Sequence, residues 1–500
     1  MLFIPKENHP NKSWLIDIIS LTTILIVVYT VFLGHYPLFT PDEGRYAEIA
    51  LNMAITNDYI TPHMNGVIFL DKPILHFWLQ AIAIKLFGVK EWAIRLPPAL
   101  FGIMGVLLIY ICGRHLFDRR CALISASILA TTPLYFGGAH YANLDLEVAV
   151  LISCALLPFI SAVQKKDHRL YFLLISYMSA ALAFLAKGLI GIIFPMMIIG
   201  TWLAFSWRWL ELKKIHLLLG FSVIICIITP WYILVQQANP QFLYYFFIEQ
   251  QITRYLSGAI FNNQMPFWFF LPVILVGFLP WTIFIIPALA GKSIFYHSTK
   301  LFLILWIMII FIFFSIPHSK LVGYILPIFP PLALLVGNYL SETWNNTKRL
   351  LFKICIFSSV IFLLILTFNA ELLNQKSAKP LALQLKQLIK PQDEVITYFR
   401  YFQDIPFYLE QHVSIVADWD SPDIIRNDNW LREFWNSLSF QENRERFISD
   451  NMFWQRWQSK KRIFVFVSTN RLDQFQAQAK NYHLIGKHNN ISLISNKQVM

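Results

Sequence analysis

The chain has 500 residues, of which 56% are hydrophobic and only 14% are charged. A soluble chain carries about 25% charged residues, so the composition excludes an ordinary soluble protein and predicts a polytopic helical membrane protein. The formal charge of +12 does not indicate nucleic-acid binding, because the basic residues gather in short loops between apolar segments and no Arg-rich face is present.

Long apolar segments predict eleven membrane spans, and the first is interpreted as a retained span because no small-residue cleavage site follows it. The segments between consecutive spans alternate between the two sides of the membrane. Every second one, starting with the segment after the second span, is net basic, as expected of cytoplasmic loops. Residues 35–92, the loop 236–265 and the tail from 371 are then expected on the outer face. The predicted spans are 14–34, 93–113, 121–136, 142–163, 170–186, 188–206, 216–235, 266–288, 300–316, 322–340 and 350–369.

The first outward loop carries a charged cluster beside the first span. Thr40 is predicted to cap a helix that starts at Pro41, with Glu43 completing a capping box. On that helix Asp42 shares a face with Arg45 and Tyr46, three and four residues later. Charges at a membrane surface are costly to dehydrate, so this face indicates binding or chemistry. Farther along the loop, the apolar run 73–87 predicts a helix lying along the membrane interface.

Other ionisable residues are expected on the same outer face. For each of them, anchoring at the membrane interface is an alternative to a functional role. A lysine in this position is also suited to contact a phosphate. Asp145 and Lys187 have the further alternative of pairing with each other. Because five such segments and the Asp42 cluster, six segments in all, place ionisable residues on one face, we predict a membrane enzyme with an outward active site. The residues concerned are Lys72, Asp145, Lys187, Arg254, Lys320 and Tyr324.

The tail differs in composition from the rest of the chain. Residues 371–500 contain 31 charged residues among 130, against 39 in the first 370. Four strand-like runs alternate with helical stretches, which predicts a small soluble α/β domain at 371–500 beside a transmembrane domain at 1–370. The runs are Glu394–Tyr398, Val413–Ala417, Arg462–Val467 and Ile491–Ile494.

Several motifs between residues 40 and about 330 resemble the bacterial class C membrane glycosyltransferases. This group is related to the dolichyl-phosphate-mannose-protein mannosyltransferases, and the strongest likeness is to the aminoarabinose transferases that modify lipid A. The motifs are Pro41-Asp42-Glu43-Gly44-Arg45-Tyr46, Asp71-Lys72-Pro73, Asn143-Leu144-Asp145, Ala186-Lys187-Gly188, Thr253-Arg254-Tyr255, Pro266-Phe267-Trp268 and Lys320-Leu321-Val322-Gly323-Tyr324.

The resemblance implies an all-α membrane fold of about 11–13 spans in the bacterial inner membrane, with the active site and the C-terminal domain in the periplasm. It also implies a polyprenyl-phosphate sugar donor, with membrane lipids as surroundings and no nucleic acid as partner. Asp42 matches the catalytic carboxylate, while Lys72, Arg254 and Tyr324 match positions that hold the donor phosphate. The matching substrate-binding positions are Arg45, Tyr46, Asp145, Lys187, Lys320 and Tyr324.

Two positions depart from the aminoarabinose transferases. Those enzymes have a glutamate before the Lys-Pro pair and a histidine three residues before the arginine, both linked with zinc, where this chain has Asp71 and Gln251. Glutamine is a poor zinc ligand beside histidine, so no bound metal or other cofactor is predicted. The departures also leave the identity of the sugar open.

The expected reaction is transfer of the sugar to lipid A or a related envelope glycolipid. One alternative is transfer to protein hydroxyls, as in protein O-mannosyltransferases. Another is a transporter or flippase for lipid-linked sugars, and a third is a scaffold acting through its tail. An enzyme is favoured because transporters bind near the bilayer midplane and often contain repeats, whereas here the ionisable residues gather at one face.

Overall fold

The computed structural model describes residues 10–164, 168–253, 255, 263–290, 298–424, 429–438, 440, 444–479 and 481–498. Helices make up most of the transmembrane domain. Its α-helices are Pro10–Thr30, Asp42–Thr56, Leu75–Phe87, Glu91–Leu116, Arg119–Ala130, Pro133–Ala139, Leu144–Gln164, Arg169–Lys187, Ile190–Phe205, Leu217–Ala238, Phe270–Gly277, Ile285–Leu289, Ser298–Ser315, Phe329–Glu342 and Asn346–Phe368. A π-helix covers Tyr244–Thr253, and shorter 3₁₀ turns cover Trp209–Lys214, Phe267–Phe269, Trp281–Phe284 and Val322–Ile328.

Among the described residues, eight helical segments are long and apolar enough to cross a membrane, or up to ten if two bent pairs each count as one span. The pairs bend by 66° between Ala130 and Pro133 and by 107° between Gly277 and Trp281. Ile190–Phe205 is apolar but shorter than a usual span. Each of the eleven predicted segments is therefore helical, and the prediction of a helical membrane protein is confirmed.

Charged residues of the predicted cytoplasmic gaps meet at one end of the bundle. The Arg119 guanidinium contacts the Asp17 carboxylate at 2.7 Å, and Arg114 lies 3.5 Å from the same carboxylate. Lys300 contacts Glu342 at 2.9 Å in the same group of gaps.

The first outward loop folds into two helices and a small hairpin. Helix Leu75–Phe87 occupies the predicted interfacial run, and strands β1 (His63–Met64) and β2 (Val67–Ile68) pair antiparallel before it. The predicted capping box is wrong: the Asp42–Thr56 helix has no side-chain cap, and the Thr40 hydroxyl instead donates to the Lys376 carbonyl at 3.4 Å.

The C-terminal domain contains a six-stranded sheet. Its strands are β3 (Glu394–Tyr398), β4 (Ser414–Val416), β5 (Phe447–Ile448), β6 (Ile463–Ser468), β7 (His483–His488) and β8 (Ile491–Ser495). They run in the order β5-β4-β3-β6-β8-β7, with the first four parallel and β8 and β7 antiparallel to their neighbours. The prediction of a small α/β domain is confirmed. Two strands were not predicted: β5, which has only two residues, and β7, of which half the residues are exposed.

Short helices cover this sheet and connect its strands. Two of them, Ile405–Leu409 and Trp430–Leu438, contact the first outward loop. The Tyr408 hydroxyl accepts the Leu38 N–H at 2.9 Å, so the domain packs directly on the loop that holds Asp42. The helices are Ala370–Leu373, Lys379–Leu388, Ile405–Leu409, Trp430–Leu438, Asp450–Trp457 and Leu472–Gln478, with 3₁₀ turns at Pro422–Ile424 and Thr469–Arg471.

Candidate active site

Asp42 lies at the start of the Asp42–Thr56 helix with polar side chains around its carboxylate. Arg45 Nη2 is 3.9 Å from Asp42 Oδ1, and the Tyr141 hydroxyl donates to Asp42 Oδ2 at 3.4 Å. The Asp42 side chain is 36% exposed, whereas that of Arg45 is 15% exposed. Tyr46 is buried, and burial followed by the charge of Asp42 raises its pKa well above the usual range. Asp42 is therefore the accessible acid of the face that the sequence predicts.

Glu43 fixes this helix to the rest of the membrane domain. Its carboxylate forms a fully buried ion pair with Arg95, with Oε1–Nε and Oε2–Nη2 distances of 2.8 and 2.7 Å. The Ala142 N–H donates to Oε1 at 2.7 Å. Since Ala142 follows Tyr141, this hydrogen bond holds the neighbouring Tyr141 phenol against Asp42.

Sequence reasoning missed Arg95 and Tyr141. A signal existed for Arg95, because it is an arginine in an apolar helix, and such charges usually have a partner. Arg95 also donates to the carbonyls of Leu33, Tyr36 and Pro37 at 2.7–2.9 Å, which locks the end of the first span to the charged loop.

A second charged group joins three outward segments. Lys187 forms an ion pair with Asp145, the pairing that the sequence left as an alternative, and both side chains are 13% exposed. The Lys187 ammonium also lies 4.4 Å from the centre of the Tyr324 ring. A Cβ atom at Gly323 would lie 2.1 Å from Asp145 Oδ2, so only glycine permits this approach. Burial is the main cause that raises the pKa of Tyr46, and the charges of Asp42 and Asp145 both add to it, so the Asp145–Lys187 pair acts electrostatically on the Asp42–Thr56 helix.

The positions linked with zinc in similar enzymes are engaged in other contacts. The Tyr245 hydroxyl and Gln250 Nε2 both donate to Asp71 Oδ1, at 2.5 and 3.3 Å. The Gln251 amide nitrogen lies 3.1 Å from where a Cβ of Gly188 would be. Within the described chain, no group of three His, Cys, Asp or Glu side chains is arranged to hold a metal ion. These residues do not fit the zinc site.

The remaining predicted residues have different surroundings. Lys72 is half-buried next to Asp71 at the start of the segment that leads into the Leu75–Phe87 helix. The Lys320 ammonium is buried, donates to the carbonyls of Met265 (3.0 Å) and Pro317, and burial lowers its pKa. Lys320 therefore braces its own turn. Arg254 lies outside the described residues.

The C-terminal domain adds a carboxylate that sequence reasoning also missed. Glu433 Oε1 lies 2.9 Å from Arg45 Nη1. Burial alone lowers the pKa of Arg45, but the charges of Glu433 and Asp42 outweigh it and raise the pKa above its usual value. Arg45 thus stays cationic between an acid of each domain. No local pattern marks Glu433, because it lies 388 residues from its partner in the sequence.

This arrangement suits chemistry on a polar headgroup. An accessible carboxylate lies beside a phenol and a fixed guanidinium, and the segment that carries the phenol also carries the aspartate of a lysine–aspartate pair. A carboxylate so placed can accept a proton or a hydrogen bond from a bound hydroxyl.

Comparisons with known proteins identify similar chains. The family model for dolichyl-phosphate-mannose-protein mannosyltransferase matches residues 71–233. The undecaprenyl phosphate-alpha-4-amino-4-deoxy-L-arabinose arabinosyl transferase of Aeromonas hydrophila is 30% identical over 354 residues, covering 69% of this chain and 64% of that protein. The protein of the same name from Edwardsiella ictaluri is 31% identical, covering 66% and 61%. The chain thus matches less than two thirds of the length of these relatives.

The fold comparison extends over nearly the whole chain. The crystal structure of ArnT from Cupriavidus metallidurans bound to undecaprenyl phosphate matches with a TM-score of 0.82 at 25% identity. The match covers 97% of this chain and 98% of that one. The similarity therefore includes the C-terminal domain, where the sequence resemblance carried no motif.

Proposed function

Because this chain belongs to the class C family of membrane glycosyltransferases, we propose that it transfers a sugar from a polyprenyl-phosphate donor to an acceptor. The observation that carries the proposal is the contact of Asp42 with Arg45 and Tyr141, together with the Asp145–Lys187 ion pair, whose aspartate follows Tyr141 by four residues. These residues come from separate outward segments, and no single helix needs them together for packing. The relatives named above use undecaprenyl phosphate carriers, which supports the same donor class here.

The bacterial inner membrane, with the site in the periplasm, is the location that fits this donor. The apolar bundle provides surroundings for the isoprenoid tail, and the outward loops provide them for the sugar and phosphate. As the bond between sugar and phosphate breaks, negative charge grows on the phosphate. We assign the stabilisation of that charge to Lys72 and Arg254, the positions that the resemblance links with the donor phosphate.

The role of Asp42 depends on the acceptor. With a hydroxyl acceptor, Asp42 takes the proton as general base. With a phosphate acceptor the nucleophile is already ionised, and Asp42 instead orients the sugar through hydrogen bonds. Lipid A or a related envelope glycolipid is the acceptor that the resemblance favours, and aminoarabinose, which the names of the relatives contain, is the first sugar to test.

Replacing Asp42 by asparagine tests the catalytic assignment. We expect Asp42→Asn to lower turnover about a hundredfold or more, since it removes the carboxylate and keeps the size. Purified protein is given a polyprenyl-phosphate sugar, and both transferred sugar and released polyprenyl phosphate are measured. Asp473→Asn, at an exposed position of the C-terminal domain, is the control.

Two results would contradict the proposal. Near wild-type turnover of Asp42→Asn removes Asp42 from catalysis. Donor binding by the wild-type protein with no release of polyprenyl phosphate, in the presence of envelope lipids, indicates a transporter in place of a transferase. Mass spectrometry of lipid A and envelope glycans, with and without the protein, identifies the sugar and the acceptor together.

A further inference from the structure

A crevice lies between the C-terminal sheet and the first outward loop. Its volume is about 350 Å³, which lies within the range of about 300–1,000 Å³ that is common for small-molecule sites. The residues lining it are Thr40, Pro41, Lys376, Phe399, Arg400, Tyr401, Phe402, Gln403, Trp430, Ser468, Asn470 and Arg471.

The crevice is located at the carboxyl ends of two neighbouring parallel strands. Residues 399–403 follow β3, while Ser468 ends β6 and residues 470–471 follow it. From β3 the chain proceeds to β4 on one side, whereas β6 pairs with β3 on the other side. The strand order therefore reverses between β3 and β6. In open α/β sheets ligands bind in the crevice at such a point, because the connections leave it in opposite directions.

The wall of the crevice is cationic. It contains Arg400, Arg471 and Lys376, and none of the described residues lining it is Asp or Glu. Within the described chain, no carboxylate oxygen lies within 4 Å of the charged nitrogens of these three residues. The Arg400 guanidinium donates to the Ser468 hydroxyl at 3.5 Å, and burial lowers its pKa against the weaker effect of Asp404. Three basic residues thus line a small space to which the described wall contributes no carboxylate.

Aromatic side chains hold the two arginines in place. The Arg471 guanidinium lies 4.5 Å from the centre of the Phe399 ring, and that of Arg400 lies 5.0 Å from the Phe402 ring. Guanidinium groups fixed in this way are suited to bidentate contact with phosphate. Trp430 adds an indole, the kind of flat surface on which a sugar ring can pack.

The crevice adjoins the candidate active site. Thr40 and Pro41 form part of its wall directly before Asp42. Trp430 belongs to the helix whose Glu433 contacts Arg45. A ligand bound in the crevice is thus held by the same elements that position Asp42 and Arg45.

We propose that this crevice binds a phosphate monoester carried on a sugar, and that this group is the headgroup of the acceptor lipid. The identity as acceptor rests on the proposed function; the binding of a sugar phosphate does not. Arg400 and Arg471 contact the phosphate, and Lys376 adds a third charge at the rim. Once the phosphate is held, the sugar lies against the aromatic wall, close to the segment that leads into Asp42.

Binding to the full-length protein in detergent tests the site without any transfer reaction. The probes are glucosamine 1-phosphate, glucosamine and inorganic phosphate, measured by calorimetry. We expect glucosamine 1-phosphate to bind, glucosamine not to bind, and inorganic phosphate to bind at least tenfold more weakly. Arg400→Gln and Arg471→Gln are each expected to weaken binding tenfold or more. Arg444→Gln, which removes an exposed arginine of the same domain, is expected to leave binding unchanged.

Kinetics with a phosphorylated glycolipid acceptor test the second part of the proposal, that the crevice binds the headgroup of the acceptor. We expect the two crevice variants to raise KM for the acceptor tenfold or more while KM for the donor stays constant. Thermal unfolding checks that each variant is folded. Arg471→Lys, at an exposed position, keeps the positive charge and is compared with Arg471→Gln, which removes it.

The outcomes separate the two proposals. Binding of glucosamine 1-phosphate that both variants retain overturns the crevice site, whatever the activity. Equal affinity for inorganic phosphate and for the sugar phosphate overturns the headgroup assignment, because it indicates a free-phosphate site. Binding that the variants lose in a protein without transferase activity supports the crevice and contradicts the proposed function. Active variants with unchanged KM for the acceptor overturn the role in transfer.

Discussion

Two adjacent acids of one helix have opposite surroundings, and their roles follow from this. Glu43 is fully buried, and a buried charge without a partner is costly, so it requires the guanidinium of Arg95. Asp42 is over a third exposed, so it can reach a ligand. A third acid, Glu48, is buried on the same helix and lacks a cationic partner among the described residues.

Glu48 makes stability depend on pH. It accepts hydrogen bonds from the Asn65 N–H and from the Tyr401 hydroxyl, the latter at 2.8 Å. Burial nevertheless raises its pKa to about 8, while in the unfolded chain it is about 4.3. The folded protein thus holds a proton that the unfolded chain loses. Its contribution to stability is complete below pH 4.3 and is lost as pH rises towards 8.

We predict that Glu48→Gln removes this dependence, since glutamine mimics the protonated acid. Between pH 5.5 and 8.5 the wild-type unfolding temperature should fall at least about 2 °C more than that of the variant. Thermal unfolding in detergent over a pH series measures this. Glu410→Gln, which removes an exposed carboxylate, should follow the wild type. Parallel curves for Glu48→Gln and wild type would refute the prediction.

At the scale of elements, the contact between the Asp42–Thr56 helix and the C-terminal domain depends on a glycine. A Cβ atom at Gly44 would lie 2.8 Å from the Asp404 nitrogen and 2.9 Å from the Gln403 carbonyl carbon. Both are backbone atoms, which cannot rotate away as a side chain can. The close approach keeps the helix, with Asp42 at its start, fixed against the segment that forms one wall of the crevice.

We predict that Gly44→Ala forces these elements apart and costs about 1–3 kcal/mol, as overpacking does in other interiors. The unfolding temperature and the transfer activity should both fall. Gly137→Ala is the matched control, because a Cβ atom there has no neighbour within 4 Å. Unfolding temperatures that are equal for the two variants would show that the contact is not tight.

At the scale of the whole molecule, the site is assembled from both domains. Arg45 of the first outward loop contacts Glu433 of the C-terminal domain, and the Tyr408 hydroxyl of that domain accepts the Leu38 N–H. The domain therefore forms part of the site. Without Glu433, the Asp42 carboxylate, 3.9 Å away, still contacts Arg45.

We predict that Glu433→Gln lowers kcat while changing KM for the donor little, because the residue positions Arg45. The double variant Arg45→Gln/Glu433→Gln should lose less activity than the sum of the single losses, with a coupling energy of about 0.5–3 kcal/mol. Glu433→Asp should restore part of kcat. Glu371→Gln, at an exposed position, should have no effect. Additive losses would show that the two residues act independently.

Local patterns in the sequence determined much of this protein. The apolar segments, the strand-like runs of β3 and β6 and the charged motifs from Asp42 to Tyr324 depend on neighbouring residues, so they can be read along the chain. The predicted strand Glu394–Tyr398 has the same bounds in the structure. Strand β5 was missed because its two residues are too few to show a pattern.

Only the tertiary structure decided which of these residues meet. The Glu43–Arg95 pair, the Tyr141–Asp42 contact and the Arg45–Glu433 bridge join residues between 52 and 388 positions apart. The bends in two spans and the crevice between β3 and β6 arise in the same way. Such contacts depend on the packing of whole elements, and the free energy of a buried charge selects its partner in space, which residue order does not specify.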